Sequence, residues 1–317
     1  VTWRTTALGL LCLAFGALVG LCCGPAGFGV GDLGDPTIVA LRGTRVALGA
    51  IVGGALSIVG AALQAALRNP LADPFVLGVS GGAAMGAALL LASVGAAFVV
   101  PGAILGAVVA CLALLAFVRV RGSSGEGAVL VGVVVNAFSW AVVAVVRVAV
   151  PANEAATLSV WLIGAVDYPA TSTVWAALVV TVVASGVLVR QAGALTIVRG
   201  GDDDAARLGI DVDRVRLQVF AAASVLVGVA VASTGVIGFV GLLVPHAVRR
   251  VVSSDDRVVV PLSLLIGAGA LVALDGLARA AFVLVGSELP VGAMCALLGA
   301  PVLAVLLVRD AQRSDQW

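Results

Sequence analysis

Lysine is absent from all 317 residues, and each of the 18 basic side chains is an arginine. Without lysine the chain has no phosphate loop of the G-x-x-x-x-G-K-[ST] type, so if ATP drives this protein, another chain binds it. Histidine occurs once, as His246, with no second His, Cys or carboxylate at ligand spacing, which argues against a metal site. Charged residues make up only 11% of the chain, against about 25% in soluble domains, while 62% is hydrophobic against about 45–50%. With a mean hydropathy of +1.20, this is the composition of an integral membrane protein. The five cysteines, Cys12, Cys22, Cys23, Cys111 and Cys295, lie in or beside apolar runs and read as helix-packing residues. No nucleophile stands near a base at a useful spacing, so the sequence offers no enzyme centre.

The long apolar runs are of helical spanning length, about 20 residues, and do not alternate as barrel strands do. The expected architecture is therefore all-α, in one domain over 1–317, with about ten transmembrane helices. The expected spans are roughly 5–24, 45–67, 79–94, 98–118, 127–149, 171–190, 214–234, 238–252, 259–285 and 290–309. The first run, Thr5 to Cys23, is long for a signal peptide and lacks a small-x-small cleavage site, so it reads as a retained helix. Between the fifth and sixth spans, Thr157 to Gly164 reads as a short interfacial helix, with Trp161 and Tyr168 as interfacial aromatics.

Arginine placement predicts the orientation. With the N-terminus inside, 14 of the 18 arginines fall in cytoplasmic segments, leaving Arg42, Arg45, Arg147 and Arg279 outside. Both termini are then cytoplasmic.

One connector is unusually constrained. Arg68-Asn69-Pro70-Leu71-Ala72-Asp73-Pro74 lies between two apolar runs, and its prolines fix their own φ while pushing Asn69 and Asp73 towards extended geometry. The longest interior loop, about 193–213, contains Asp202-Asp203-Asp204-Ala205-Ala206-Arg207-Leu208-Gly209. Three aspartates suit the positive end of a short helix, and Arg207 and Gly209 suit its end. Such a helix either docks into a partner or is a solvated turn, and these residues leave both open. The small interior loop Arg119-Val120-Arg121-Gly122-Ser123-Ser124-Gly125-Glu126 reads as a linker or as a gate at the inner mouth.

Polar groups inside the membrane need an account. Asp275 and Arg279, four apart in one span, are expected to pair. Gln64, Asn136 and Ser139 are expected to bond between helices more readily than to line a pathway. Pro245 and His246 are expected to shape the end of a short helix.

Three stretches together resemble one family. Leu63-Gln64 through Asn69-Pro70, Asp73-Pro74 and Gly78 form the first. Gly238 through Pro245-His246 to Arg249 is the second, and Glu288-Leu289-Pro290-Val291-Gly292, followed by Leu298-Gly299-Ala300-Pro301, the third. They resemble the FecCD-type permeases that carry iron-siderophores, haem or cobalamin in bacterial ABC importers. The resemblance implies the type II ABC importer permease fold in the bacterial plasma membrane. It also implies a second permease subunit, identical or paralogous, two cytoplasmic ATPase subunits that hold ATP and Mg, an extracytoplasmic substrate-binding protein and surrounding lipid. No nucleic acid is implied, and no cofactor within this chain.

By the same resemblance, Asp202, Asp203, Asp204, Ala205, Arg207, Leu208 and Gly209 are the ATPase-coupling element, and Ser123, Ser124, Gly125 and Glu126 the cytoplasmic gate. Arg42, Arg45 and Arg279 would receive acidic side chains of the binding protein. Gln64, Asn69, Pro70, Asp73, Pro74, Gly78, Pro245, His246, Pro290 and Gly292 would be structural. The chain departs from the family at Arg42-Gly43-Thr44-Arg45, where the family writes Arg-x-Pro-Arg, and at Val302-Leu303-Ala304, where it places aromatics. The expected cargo is a ferric siderophore, with haem or cobalamin as alternatives. An ion-coupled secondary transporter is the competitor from another class, with Asp275 as its one titratable candidate.

Overall fold

A computed structural model describes residues 3–24, 27–29, 34–121 and 125–314. Among these residues the chain forms thirteen α-helices: α1 Trp3–Cys22, α2 Pro36–Ala66, α3 Val79–Val94, α4 Val99–Arg121, α5 Gly125–Ala149, α6 Ala152–Ile163, α7 Thr171–Val198, α8 Asp202–Arg207, α9 Val212–Thr234, α10 Val240–Val251, α11 Asp256–Ala280, α12 Phe282–Val285 and α13 Val291–Ser314. The one extended element among them is a two-residue antiparallel ladder, β1 (Cys23–Gly24) with β2 (Gly27–Phe28).

Ten of these helices coincide with the ten expected spans, and the short α6 covers the expected interfacial helix. Among the described residues, seven helical segments are long and apolar enough to cross a membrane; α3 and the apolar part of α13 are shorter, and α10 has 12 residues. Three boundaries differ from the sequence expectation. α2 begins at Pro36 rather than near 45, because Asp35 accepts from the Thr37 amide at 2.8 Å and Pro36 occupies the first turn. α7 continues to Val198 rather than 190, carrying Arg190 within the helix. The ninth span divides after Ala280, with α12 as a separate turn.

α2 is the axis of the bundle. Nearly every residue from Leu48 to Ala66 is buried, with α7, α9, α10 and α11 packed around it. Lipid is as apolar as leucine, so close packing rather than water exclusion holds such helices together. The contacts show it: a Cβ added at Gly60 would lie 1.6 Å from the Gly241 carbonyl oxygen of α10, a distance no side chain tolerates. Between α3 and α4, a Cβ on Gly106 would sit 2.0 Å from the Gly82 carbonyl oxygen. α10 also corrects an expectation: Pro245 and His246 lie inside it, and the helix runs on to Val251.

Candidate functional site

The ionisable side chains gather at the two ends of the bundle. At one end, α8 is fastened to the helical core by Arg216, near the start of α9. This guanidinium is 4% exposed and forks onto Asp202, Nη1 to Oδ2 and Nη2 to Oδ1, each at 2.9 Å. Its Nε donates to the Ala66 carbonyl at 3.0 Å, satisfying an otherwise open carbonyl at the end of α2. Arg68 of the constrained connector adds a weaker pairing, its Nε 3.9 Å from Asp202 Oδ1.

The connector itself is a series of local bonds. Arg68 takes a left-handed φ of 52°, and Asn69 Oδ1 accepts from the Leu71 amide at 2.9 Å. Asp73 Oδ1 accepts from the Phe75 amide at 2.9 Å, capping a 3-10 turn over Pro74–Leu77 that ends at Gly78 with φ 77°. Burial pushes the Asp73 carboxyl up to about 6, with the Phe75 amide opposing that shift. A Cβ at Gly241 would lie 2.5 Å from Pro74 Cγ, and Gln64 Nε2 donates to the Leu242 carbonyl at 3.3 Å. The first two motifs, far apart in sequence, thus form one corner where α2 turns and α10 begins.

A second polar knot joins the same end. Asp256 is fully buried and receives Arg249, while Arg199 Nε stands 3.6 Å from its other oxygen. Arg249 Nη2 also donates to the Ala61 carbonyl at 3.0 Å, and Thr196 Oγ1 bridges, donating to Asp255 at 3.0 Å and accepting from the Asp256 amide at 3.1 Å. The pairs Arg216–Asp202 and Arg249–Asp256 escape sequence reading because their partners lie on different helices. The available signal was an arginine inside an apolar helix, which demands a partner.

The expected coupling residues divide by side. Asp203, Asp204, Arg207 and Leu208 are exposed, and Gly209 ends the turn with φ 79°; Ala205 is buried, and Asp202 is held inward by Arg216. Arg207 pairs with Asp204 at 3.6 Å along the exposed surface. Of the expected gate, Ser123 and Ser124 lie outside the described residues, while Gly125 and Glu126 begin α5.

The opposite end collects Arg42, Arg45, Asp275, Arg279 and Glu288. Arg45 forks onto Asp275, Nε to Oδ2 and Nη2 to Oδ1 at 3.0 Å each, and its Nη1 reaches Glu288 at 3.1 Å. Its guanidinium also lies 5.0 Å from the centre of the Tyr168 ring. The expected Asp275–Arg279 pair is present at 3.2 Å, but Arg279 turns its other nitrogens to the carbonyls of Cys23 at 2.8 Å and Gly20 at 2.7 Å. Arg42 Nη1 donates to the Leu21 carbonyl at 2.8 Å.

The three arginines expected to receive another protein's carboxylates are therefore buried and engaged within the chain, at 6%, 5% and 0% exposure. Glu288, 36% exposed, is the open member of the cluster. The missing family proline does not disturb this end, since α2 runs unbroken through Arg42–Arg45. Asn136 Oδ1 and Ser139 Oγ are buried without hydrogen-bond partners among the described residues, so only Gln64 makes an expected interhelical bond. In the third motif, the Gly292 amide donates to the Gly164 carbonyl at 2.9 Å, tying the start of α13 to the end of α6.

Comparison with known proteins agrees with this architecture. The profile of the FecCD transport family matches residues 10–309. A cobalamin import system permease protein, BtuC, of Halobacterium salinarum is 42% identical over 291 residues, 91% of this chain and 77% of its own. A hemin transport system permease protein, HmuU, of Yersinia pestis is 33% identical, covering 86% and 83%. A solved ABC transporter described as of metal-chelate type, in an inward-facing conformation, superposes with a TM-score of 0.86 at 25% identity, over 96% of this chain and 98% of that one. The chain belongs to the FecCD transport family and is a multi-pass membrane permease of the ABC-importer type.

Proposed function

We propose that the chain imports a cobalamin-class metal corrinoid, driven by ATP hydrolysis on a separate cytoplasmic subunit. The cargo reading rests on the 42% identity to a permease named for cobalamin import over 91% of the chain. It displaces the ferric siderophore expected from the motifs alone, because the motifs are common to siderophore, haem and corrinoid permeases and do not separate them. The haem relative at 33% identity keeps haem as the second reading.

In this reading the α8 end faces the cytoplasm, as the arginine excess requires. The exposed Asp203, Asp204, Arg207 and Leu208 meet the ATPase, and Arg216 carries its displacement to α2. A second permease subunit completes the pathway and a binding protein delivers cargo at the Arg45 end. Because Arg45 and Arg279 are engaged internally, docking there uses Glu288 and the surrounding backbone, or exchanges the internal partners.

Ion coupling finds little support. A proton- or sodium-driven carrier needs a carboxylate free to change state, whereas Asp275 is clasped by Arg45 and Arg279.

Uptake into liposomes by the chain reconstituted with its ATPase and binding protein tests the proposal. ATP-dependent accumulation of cyanocobalamin in preference to haemin and ferric hydroxamates is expected. Transport of a ferric hydroxamate with cyanocobalamin ignored would overturn the cargo reading, and uptake abolished by a protonophore at constant ATP would overturn the ATP-driven one.

A further inference from the structure

α7 and α9 pack together, and one face of the pair carries two cavities of different chemistry. Near the α8 end, a cavity of about 560 Å³ is lined by Arg190, Gln191, Asp211, Arg214, Val215 and Gln218. Gln191 donates to Gln218, so the two amides form a joined floor. Arg190 and Arg214 are exposed, and neither guanidinium has an ion pair among the described residues. Asp211 accepts from the Arg214 amide at 3.0 Å as the cap of α9, leaving the pocket with two cations against one helix-bound carboxylate.

Further along, a cavity of about 630 Å³ is lined mainly by hydrocarbon, including Val108, Leu112, Val180, Val225 and Val229, with Asp167 and Thr173 at its far end. Helix periodicity puts the two cavities on the same side. Residues 173, 176 and 180 share a face of α7 with 187 and 191, and residues 225, 229 and 232 share a face of α9 with 214 and 218. From 180 to 187 the helix rises about 10 Å. The intervening positions on these faces are Ala184 and Ala221, which are small.

We infer that the two cavities together bind one anionic phospholipid, its phosphodiester between Arg190 and Arg214 and an acyl chain in the apolar cavity. Guanidinium groups suit phosphate oxygens in both charge and geometry. The depth also fits: Val179, Val182, Val183 and Val189 of α7 are exposed as lipid-facing residues are, and Arg190 follows directly, where headgroups begin. A free phosphate satisfies the arginines but not the cavity beyond them, which is why the lipid is preferred. The inference is independent of the cargo.

The test is retention of lipid by the full chain in native mass spectrometry, alone and assembled with its ATPase, using phosphatidylglycerol and phosphatidylcholine with the same chains. One phosphatidylglycerol should remain bound in both states and phosphatidylcholine should be lost. The double variant Arg190→Gln/Arg214→Gln should weaken retention about thirtyfold, since each such arginine contributes roughly a factor of five. Arg190→Lys/Arg214→Lys should weaken it less. Val225→Trp, which fills the apolar cavity and leaves the arginines, should also weaken it. Displacement by inorganic phosphate with Val225→Trp silent would reveal an anion site only and overturn the proposal. Loss of the lipid on assembly would assign the pocket to the ATPase interface and overturn it equally.

Discussion

Arg216 and Asp202 stand fourteen positions apart and meet through two parallel bonds of 2.9 Å, with the same guanidinium holding the last carbonyl of α2 at 3.0 Å. One buried side chain thus joins the surface helix α8 to the axis of the bundle. Asp202 belongs to the expected coupling element yet faces inward, while Asp203 and Asp204 beside it are exposed.

Arg216→Ala should lower ATP-dependent uptake at least tenfold while the protein still reaches the membrane. ATPase activity of the assembled complex should persist, since Asp203, Asp204 and Arg207 remain exposed. Asp202 is partly solvated, so the stability loss should be modest, on the order of 1–2 kcal/mol. Asp203→Ala/Arg207→Ala should instead weaken association with the ATPase. Binding and uptake measured together separate the two roles.

Asp275→Asn should destabilise the folded chain by about 3 kcal/mol or more, because it leaves two buried arginines without their shared carboxylate. Charge reversal at Arg279, which is fully buried, should likewise reduce folded yield before any effect on binding-protein capture appears. Thermal melting in detergent reads both.

Gly60→Val should disrupt the α2–α10 contact, since even a methyl group at that position meets backbone 1.6 Å away. Overpacking costs about 1–3 kcal/mol in compliant cores, and a rigid backbone neighbour puts this site at the upper end or beyond. Monodisperse yield on size exclusion should fall sharply, with Gly43→Val, where nothing lies within 4 Å, as the control.

The connector should be pH-sensitive. Asp73 titrates near 6 in the fold, above the usual 3.8, so the folded state keeps a proton that the unfolded chain has lost between those values. Stability of the corner is therefore greatest below about pH 4, declines as pH rises to about 6, and is flat beyond. Protection of the amides over residues 69–78, corrected for the intrinsic pH dependence of exchange, should be greater at pH 5 than at pH 7.5. Asp73→Asn, which keeps a capping oxygen, should remove the difference.

The spans were readable because a bilayer admits few backbones: about 20 apolar residues without alternation must be a helix. The connector was readable for a local reason, since proline φ, Asx caps and a left-handed glycine act within a few residues. Reading stopped at the arginines. Arg42, Arg45 and Arg279 were recognisable as a charged set, but nothing in their spacing showed that Arg45 closes on Asp275, 230 residues away, or that Arg279 caps the carbonyls of Gly20 and Cys23.

The sequence by itself determined that the chain lives in a membrane, carries no lysine-dependent ATP loop, crosses with about ten helices and belongs among FecCD-type permeases. Those properties follow from composition, from local periodicity and from contiguous motifs. The tertiary structure alone decided which charge meets which. It turned Asp202 inward, clasped Asp275 between two arginines and brought the Pro74 corner against Gly241. Such pairings depend on helices distant in sequence meeting at one level of the bundle, and no local rule of the chain specifies that meeting.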